Sequence, residues 1–155
     1  MLRIGDTAPS FELKDQSGSL VSLDQIAANG DLILYFYPAD FSPVCTAEAC
    51  AFRDSFKGVS DIGVQIVGVS PQSVASHQRF ANSFSIPFPL LSDLSKNVIG
   101  AYGVDGPFGF GVRRATFLID SSKIIQNRVV SELFVGSHTD LLKKTLRERK
   151  VAKSE

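Results

Sequence analysis

The stretch Asp31-Leu32-Ile33-Leu34-Tyr35-Phe36-Tyr37-Pro38 contains the longest strongly apolar run of the chain, and it indicates the centre of the fold. Its apolar residues are continuous and do not alternate with polar ones, which is typical of a strand buried on both faces. Pro38 ends the run, because proline cannot donate a hydrogen bond to a central strand. We therefore expect this strand to lie in the middle of a sheet.

The segments around this strand predict one α/β layered domain over residues 1–155. Before it, Phe11–Lys14 and Leu20–Leu23 enclose turn residues and predict an N-terminal hairpin. After it, strand and helix patterns alternate, which implies parallel crossover connections. The predicted later elements are a helix that starts near Cys45 and ends at Gly58, a strand Val64–Ser70, a helix Ser73–Phe84, a short strand Phe88–Leu91, a helical turn Lys96–Tyr102, a strand pair Ala115–Ile119 and Ile124–Val130, and a terminal helix capped by Ser137 and Asp140 that runs to about Arg149.

Composition and charge exclude several function classes. The chain has 155 residues, of which 44% are hydrophobic and 21% charged, so it can bury a sizeable core. Sixteen Lys and Arg residues balance sixteen Asp and Glu residues, which argues against a nucleic-acid or anionic-membrane binder. The longest apolar run is far shorter than the roughly 20 residues that span a bilayer. We expect a cytoplasmic protein, or an organelle protein that has lost a targeting peptide.

The chain contains only two cysteines, Cys45 and Cys50, too few for a disulfide scaffold or a four-cysteine zinc site. Ser42 and Pro43 are typical of an N-cap and a first helical position, which places Cys45 in the first turn of a helix. There the helix dipole and the unpaired amides favour a thiolate. Periodicity alone leaves open the alternative that Cys45 is an inert core residue beside Ala49.

The spacing of the two cysteines restricts how they can pair. On an ideal helix the Cα atoms of Cys45 and Cys50 lie roughly 8 to 9 Å apart, whereas a disulfide requires a separation below about 7 Å. The two residues therefore cannot bond while the helix is intact. If they bond, the first turns of the helix must unwind.

The pattern Pro38-x-x-x-Ser42-x-x-Cys45 resembles the peroxiredoxin active-site motif. The stretch Cys45–Asp54 resembles the subgroup called bacterioferritin comigratory protein or peroxiredoxin Q. Further stretches match the family in the same order along the chain, namely Gly5–Phe11, Leu90–Asp93 and Arg114–Asp120. The resemblance covers nearly the whole chain and implies a thioredoxin-like fold, with a central mixed sheet flanked by helices and an extra N-terminal hairpin.

The resemblance also implies roles for the two cysteines and for four other residues. Cys45 is the expected peroxidatic residue, which attacks a hydroperoxide and becomes a sulfenic acid, and Cys50 is the expected resolving residue. Arg114 is expected to stabilise the thiolate and the charge on the peroxide oxygens. Ser42 is expected to hold a peroxide oxygen, and Pro38 to shield the thiolate from water. Glu48 matches the family's glutamate, whose role is not settled.

The expected reaction needs no metal or organic cofactor. By the same resemblance the donor that regenerates the enzyme is thioredoxin, the substrate is hydrogen peroxide or an organic hydroperoxide, and the protein is a monomer. Two positions depart from the subgroup pattern. Val44 stands where glycine is typical and stiffens the segment that must rearrange, and Ser42 stands where threonine is usual.

Two other functions are compatible with the sequence. A disulfide oxidoreductase would use the same fold, although such enzymes usually carry Cys-x-x-Cys at the helix start. A redox-sensing or holdase-like protein would use the disulfide to control binding.

Three other features of the sequence bear on the candidate site. Strand alternation allows at most one of Arg113 and Arg114 to reach the site. His77 is expected to be partly buried, and it lies too far from His138 to form a local metal motif. The glycine-rich stretch Gly103–Gly111 lacks the Lys-Ser/Thr of a phosphate loop. Its two aromatic residues, Phe108 and Phe110, either line the pocket or belong to a plain surface connection.

Overall fold

The computed structural model describes residues 1–109, 111–131 and 135–154. Its elements, in chain order, are β1 Glu12–Lys14, β2 Leu20–Ser22, α1 Leu23–Ala28, β3 Leu32–Phe36, α2 Pro43–Asp61, β4 Gln65–Ser70, α3 Val74–Phe84, β5 Leu90–Ser92, α4 Asn97–Ala101, a 3-10 turn Pro107–Gly109, β6 Ala115–Ile119, β7 Ile125–Val130 and α5 Val135–Ser154.

The described strands form one mixed sheet in the order β2-β1-β5-β4-β3-β6-β7. Strand β3 pairs in parallel with β4 and antiparallel with β6, and all five of its residues are buried. The parallel pairs β3–β4 and β4–β5 confirm the predicted crossovers. The predicted N-terminal hairpin β1–β2 joins the sheet through a single antiparallel pairing of Lys14 with Ser92.

The two faces of β3 build two separate cores. Leu34 and Phe36 belong to a core that includes Ile99 of α4. Ile33 and Tyr35 belong to a second core on the opposite face, where α2 contributes Cys45, Ala49 and Phe52 and α3 contributes Phe80 and Ala81. The continuous apolar run thus reflects burial on both faces. Cys45 faces the core formed with α2 and α3.

Two predicted helix boundaries are wrong. Helix α2 continues through Gly58 and ends at Asp61, because the left-handed conformation that ends a helix occurs later, at Gly63 with φ +78°. Helix α5 begins at Val135, so Ser137 lies inside the helix and does not cap it.

Helix α1 and the limits of the shorter elements also differ from expectation. Helix α1 was not predicted: Ser22 ends β2 and caps α1 through a capping box with Gln25. Strand β5 begins two residues after the predicted start. Helix α4 begins at Asn97, because Lys96 has a left-handed backbone and lies outside the helix at its N-cap position.

The lack of a side chain at Gly68 of β4 allows residues of the second core to pack closely against this strand. A Cβ atom at this position would lie 2.8 Å from Cζ of Tyr35 and 3.0 Å from Cδ2 of Leu90. Gly68 is the register partner of Tyr35, whose ring is buried. The aromatic ring therefore occupies the space that a side chain at residue 68 would need.

We expect Gly68→Ala to lower the free energy of unfolding by about 1–3 kcal/mol, because the ring of Tyr35 has no room to move. Gly100→Ala is the matched control, since a Cβ atom there meets nothing within 4 Å and alanine favours the helix by up to about 1 kcal/mol. Urea denaturation of both variants measures the difference. Equal stabilities for the two variants would contradict the steric explanation.

Candidate active site

Cys45 is the third residue of α2, as the Ser42-Pro43 pattern predicts. Ser42 is the N-cap, and Pro43 is the first helical residue. The amide of Cys45 donates a hydrogen bond to Oγ of Ser42 at 3.3 Å, and the same hydroxyl donates to the carbonyl of Ala39 at 3.2 Å. The thiol therefore lies in the first turn, where the positive end of the helix dipole stabilises a negative sulfur.

Arg114 contacts the cysteine directly. Its Nη1 donates a hydrogen bond to Sγ of Cys45 at 3.0 Å. The thiol is 1% exposed and Arg114 is 8% exposed, so little water screens the interaction. Arg113 is exposed, which agrees with the expectation that only one of the two arginines reaches the site. The guanidinium is therefore placed to interact with charge that develops at the sulfur.

Glu48 lies one helical turn after Cys45 and is 1% exposed. Neither oxygen of its carboxyl group has a hydrogen-bond partner among the described residues, and the nearest ion-pair contact is Nε2 of His138 at 3.7 Å. Burial raises the pKa of Glu48 to about 8, although the charge of Arg114 opposes the shift. At pH 7 the side chain is therefore mostly protonated and neutral.

His138 of α5 is held in one orientation beside Glu48. Its Nε2 donates to the carbonyl of Ser131 at 3.0 Å, and its Nδ1 lies 2.7 Å from the hydroxyl of Thr116 on β6. Because a carbonyl only accepts, the proton of a neutral His138 lies on Nε2. The histidine thus closes the side of the site that α5 covers.

Pro38 and Cys50 lie at the edges of the site. Pro38 follows Tyr37 after β3 and is half-buried in the loop that leads to Ser42. Cys50 is half-buried in α2, and both cysteines are free thiols. The helix runs unbroken through the two residues, so it holds them apart as the spacing predicts. Of the predicted site residues, hydrogen bonds join Ser42, Cys45 and Arg114. Among the described residues, no hydrogen bond joins Cys50 to these three.

A buried polar cluster beside the site was missed by the sequence analysis. Asp40, in the loop between β3 and α2, accepts hydrogen bonds from Tyr37, Ser76 and His77, each at 2.7 Å. His77 is completely buried and not partly buried as expected. Burial alone would raise the pKa of Asp40, but the hydrogen bonds and the charge of His77 lower it below its usual range. The position of an aspartate two residues before the N-cap was the only signal in the sequence.

The remaining sequence candidates contribute no group to the site. Phe108 is 98% exposed and lines no buried pocket, and Phe110 lies outside the described residues. His77 and His138 belong to separate clusters, and the described residues contain no group of three or more metal-ligating side chains. In the part of the chain that the structure describes, no helix is both long and apolar enough to cross a membrane.

Comparison with known proteins supports these features. Residues 4–128 match the model of the AhpC/TSA family. A Coxiella burnetii protein named as a peroxiredoxin bcp is 42% identical over 130 residues, which are 80% of this chain and 85% of that protein. The chloroplastic peroxiredoxin Q of Sedum lineare is 39% identical over 147 residues, covering 94% of this chain and 78% of the plant protein.

A solved structure shows the same fold. The crystal structure of peroxidoxin BcpB from Mycobacterium tuberculosis is similar with a TM-score of 0.89 and 36% sequence identity, covering 96% of this chain and 98% of that one. The predicted thioredoxin-like fold is therefore confirmed. The chain belongs to the AhpC/TSA family, and it is a thiol-dependent peroxidase of the peroxiredoxin Q type.

Proposed function

We propose that Cys45 is the peroxidatic nucleophile of this hydroperoxide reductase. The hydrogen bond of 3.0 Å from Arg114 to Sγ of Cys45, at the N-terminus of α2, is the observation that carries the proposal. The thiolate attacks the terminal oxygen of the hydroperoxide, so that an S–O bond forms and the O–O bond breaks. Sulfur is oxidised to a sulfenic acid, and the alkoxide or hydroxide released takes up a proton to leave as alcohol or water.

Arg114 and Ser42 stabilise the charge that moves during this step. Negative charge passes from sulfur to the leaving oxygen, and a buried guanidinium interacts strongly with both. The hydroxyl of Ser42 bonds the amide of Cys45 and can turn toward a peroxide oxygen. Pro38 has no amide proton and limits the access of water on the loop side.

Cys50 is the proposed resolving residue. Its thiol attacks the sulfur of the sulfenic acid, an S–S bond forms and water leaves. Because an intact α2 keeps the cysteines too far apart, its first turns unwind before the disulfide forms. Val44 is β-branched and restricts the backbone at this point, so we expect it to slow resolution without changing the reaction.

A dithiol protein of the thioredoxin type then reduces the disulfide. A neutral net charge and a half-buried Cys50 suit a transient protein donor. Because both cysteines belong to one chain, catalysis requires no second subunit, and we propose a monomer that works as one domain in the cytoplasm. The peroxide chemistry requires no metal or organic cofactor.

Glu48 is proposed to act through its lack of charge. An ionised carboxylate beside Arg114 would compete with the thiolate of Cys45 for the guanidinium. Burial keeps Glu48 protonated at neutral pH, so the positive charge of Arg114 remains available to the sulfur. This assigns a role to a residue for which the sequence resemblance gives only a position.

The cysteine variants test the function. Cys45→Ser should abolish peroxide reduction, since an alcohol is a far weaker nucleophile than a thiolate, and Cys50→Ser should react once and then stall or overoxidise. The measurement is NADPH consumption coupled to thioredoxin and thioredoxin reductase, with several hydroperoxides. Peroxide consumption only once per chain in the native protein would favour a redox sensor, and no reaction with peroxide would favour a protein disulfide oxidoreductase.

Hydrogen exchange tests the unwinding of α2. Amides of residues 43–53 should exchange faster in the disulfide form than in the dithiol form, because their helical hydrogen bonds are lost. Mass spectrometry of peptides from both forms measures this, with α3 as the internal reference. Equal protection of residues 43–53 in the two forms would contradict the proposal.

The protonation of Glu48 predicts a pH-dependent stability. The ordinary pKa of this carboxyl group is 4.5, and burial raises it to about 8. Between these two pH values the folded protein keeps the proton of Glu48, whereas the unfolded chain loses it. The stability gained is therefore complete below about pH 4.5 and is lost as the pH rises through about 8, with a slope of up to about 1.4 kcal/mol per pH unit. Glu48→Gln should remove this slope from denaturation curves measured between pH 5 and 8.

The matched control is Asp54→Asn, which neutralises an exposed carboxylate of the same helix. It should leave the slope unchanged. Parallel pH dependence of the native protein and Glu48→Gln would show that Glu48 is ionised at neutral pH.

A further inference from the structure

Asp40 is a completely buried carboxylate within the loop that leads to the active-site helix. Its side chain is 0% exposed, and three donors reach it. Tyr37 approaches Oδ1 from the end of β3, while Ser76 and His77 approach Oδ2 from α3. Each distance is 2.7 Å, typical of charge-assisted hydrogen bonds. The loop is thus attached to α3 through one carboxylate.

His77 is the cationic partner of Asp40. Its Nδ1 faces the carboxylate, and its Nε2 faces the carbonyl of Leu91 on β5 at 3.1 Å. Because a carboxylate and a carbonyl can only accept, this geometry satisfies both sides of the ring only when both ring nitrogens carry hydrogen, as in an ion pair with Asp40. The hydroxyl of Ser70 on β4 lies 3.4 Å from Nε2. The ion pair therefore connects the loop, α3 and two central strands.

Such a pair is costly to bury and contributes little net stability. The position of the ion pair instead indicates a role in fixing the conformation of the loop. The residue after Asp40 is Phe41, whose φ of +65° is a strained conformation for a residue with a side chain. Strain of this kind persists only where the surroundings impose it. The ring of Phe41 packs on Phe80 and Phe84 of α3, with centroids 5.2 and 6.2 Å away.

The turn fixed in this way carries the groups that orient the thiol. Ala39 and Ser42 flank Asp40 and Phe41, and the hydroxyl of Ser42 bonds both the carbonyl of Ala39 and the amide of Cys45. A displacement of Asp40 would therefore displace the N-cap and, through it, Cys45. The anchors of the loop lie on α3, outside the helix that unwinds.

We propose that Asp40 and His77 are a positioning pair, which holds residues 38–42 against α3 so that Ser42 and Cys45 stand in the reactive geometry for the peroxide step. The pair touches no reacting atom and acts through the turn. This inference rests on the proposed function of Cys45. It adds two residues that the active-site motif does not contain.

The test isolates the peroxide step in a Cys50→Ser background, where resolution cannot occur. Asp40→Asn keeps the shape of the side chain and removes its charge, so the rate constant for oxidation of Cys45 should fall on the order of 10-fold or more. Asp24→Asn is the matched control, because Asp24 forms an exposed ion pair with Lys123 on the surface and should change the rate less than twofold. Quenched-flow oxidation followed by alkylation and mass spectrometry measures the rates.

Double substitution separates positioning from a loss of folding. Asp40→Asn leaves a buried cation unpaired and His77→Gln leaves a buried anion unpaired, whereas Asp40→Asn with His77→Gln leaves neither. The double variant should therefore oxidise faster than the product of the two single effects predicts. Ser76→Ala, which removes one uncharged donor, should slow the reaction by only a few fold. This variant keeps the test available if Asp40→Asn does not fold.

The outcomes are distinguishable. If the parent Cys50→Ser protein does not react with peroxide, the proposed function fails and the inference with it. If the parent reacts and Asp40→Asn reacts within twofold of Asp24→Asn, only the positioning pair is wrong. Multiplicative effects of Asp40→Asn and His77→Gln would also overturn the pair, since uncoupled residues do not act through one contact.

Discussion

The hydrogen bond between Arg114 and Cys45 depends on the register of two antiparallel strands. Ala115, the first residue of β6, pairs with Phe36, the last residue of β3. Arg114 therefore lies just beyond the end of β3, where the chain turns through residues 37–42 into α2. A slip of one residue would turn the arginine to the opposite face of the sheet. The five buried residues of β3 prevent that slip, because each face has its own core.

The buried charges around this contact have different roles. Arg114 donates a hydrogen bond to the sulfur of Cys45, and burial raises the pKa of nearby Glu48 to about 8. Asp40 and His77 pair with each other at 2.7 Å at the other end of the loop. In a low-dielectric interior an unpaired charge costs far more than a paired one, so each group must be either neutral or matched. Cys45 differs from the other groups because, in the proposed reaction, a small hydroperoxide must reach its sulfur.

The sequence predicts local features of this site well and long-range pairings poorly. The strand around Tyr35 and the start of α2 follow from periodicity and capping residues, which are local. Alternation allows at most one of Arg113 and Arg114 to reach the site, and only the family resemblance selects Arg114. The pair of Asp40 with His77 joins residues 37 positions apart, and nothing in either segment alone indicates it. Gly58 predicts a helix end, yet α2 continues because packing outweighs the cost of one helical glycine. The burial of Glu48 likewise depends on α5, which lies far along the chain.

In the proposed mechanism, helix α2 is ordered for the peroxide step and unwound for disulfide formation, and contacts on both sides of the cysteines restrict the segment that unwinds. Arg53, three residues after Cys50, donates from Nη1 to the carbonyl of Phe84 at 2.7 Å and ties the middle of α2 to α3. Beyond it, Val59 is completely buried. On the other side, Asp40 of the preceding loop accepts a hydrogen bond from the hydroxyl of Ser76 on α3 at 2.7 Å. We therefore expect unwinding to stay between these two attachments to α3, and the segment between them contains both cysteines. In the proposed mechanism, α3 positions the loop for the peroxide step and also supports the chain while the disulfide forms.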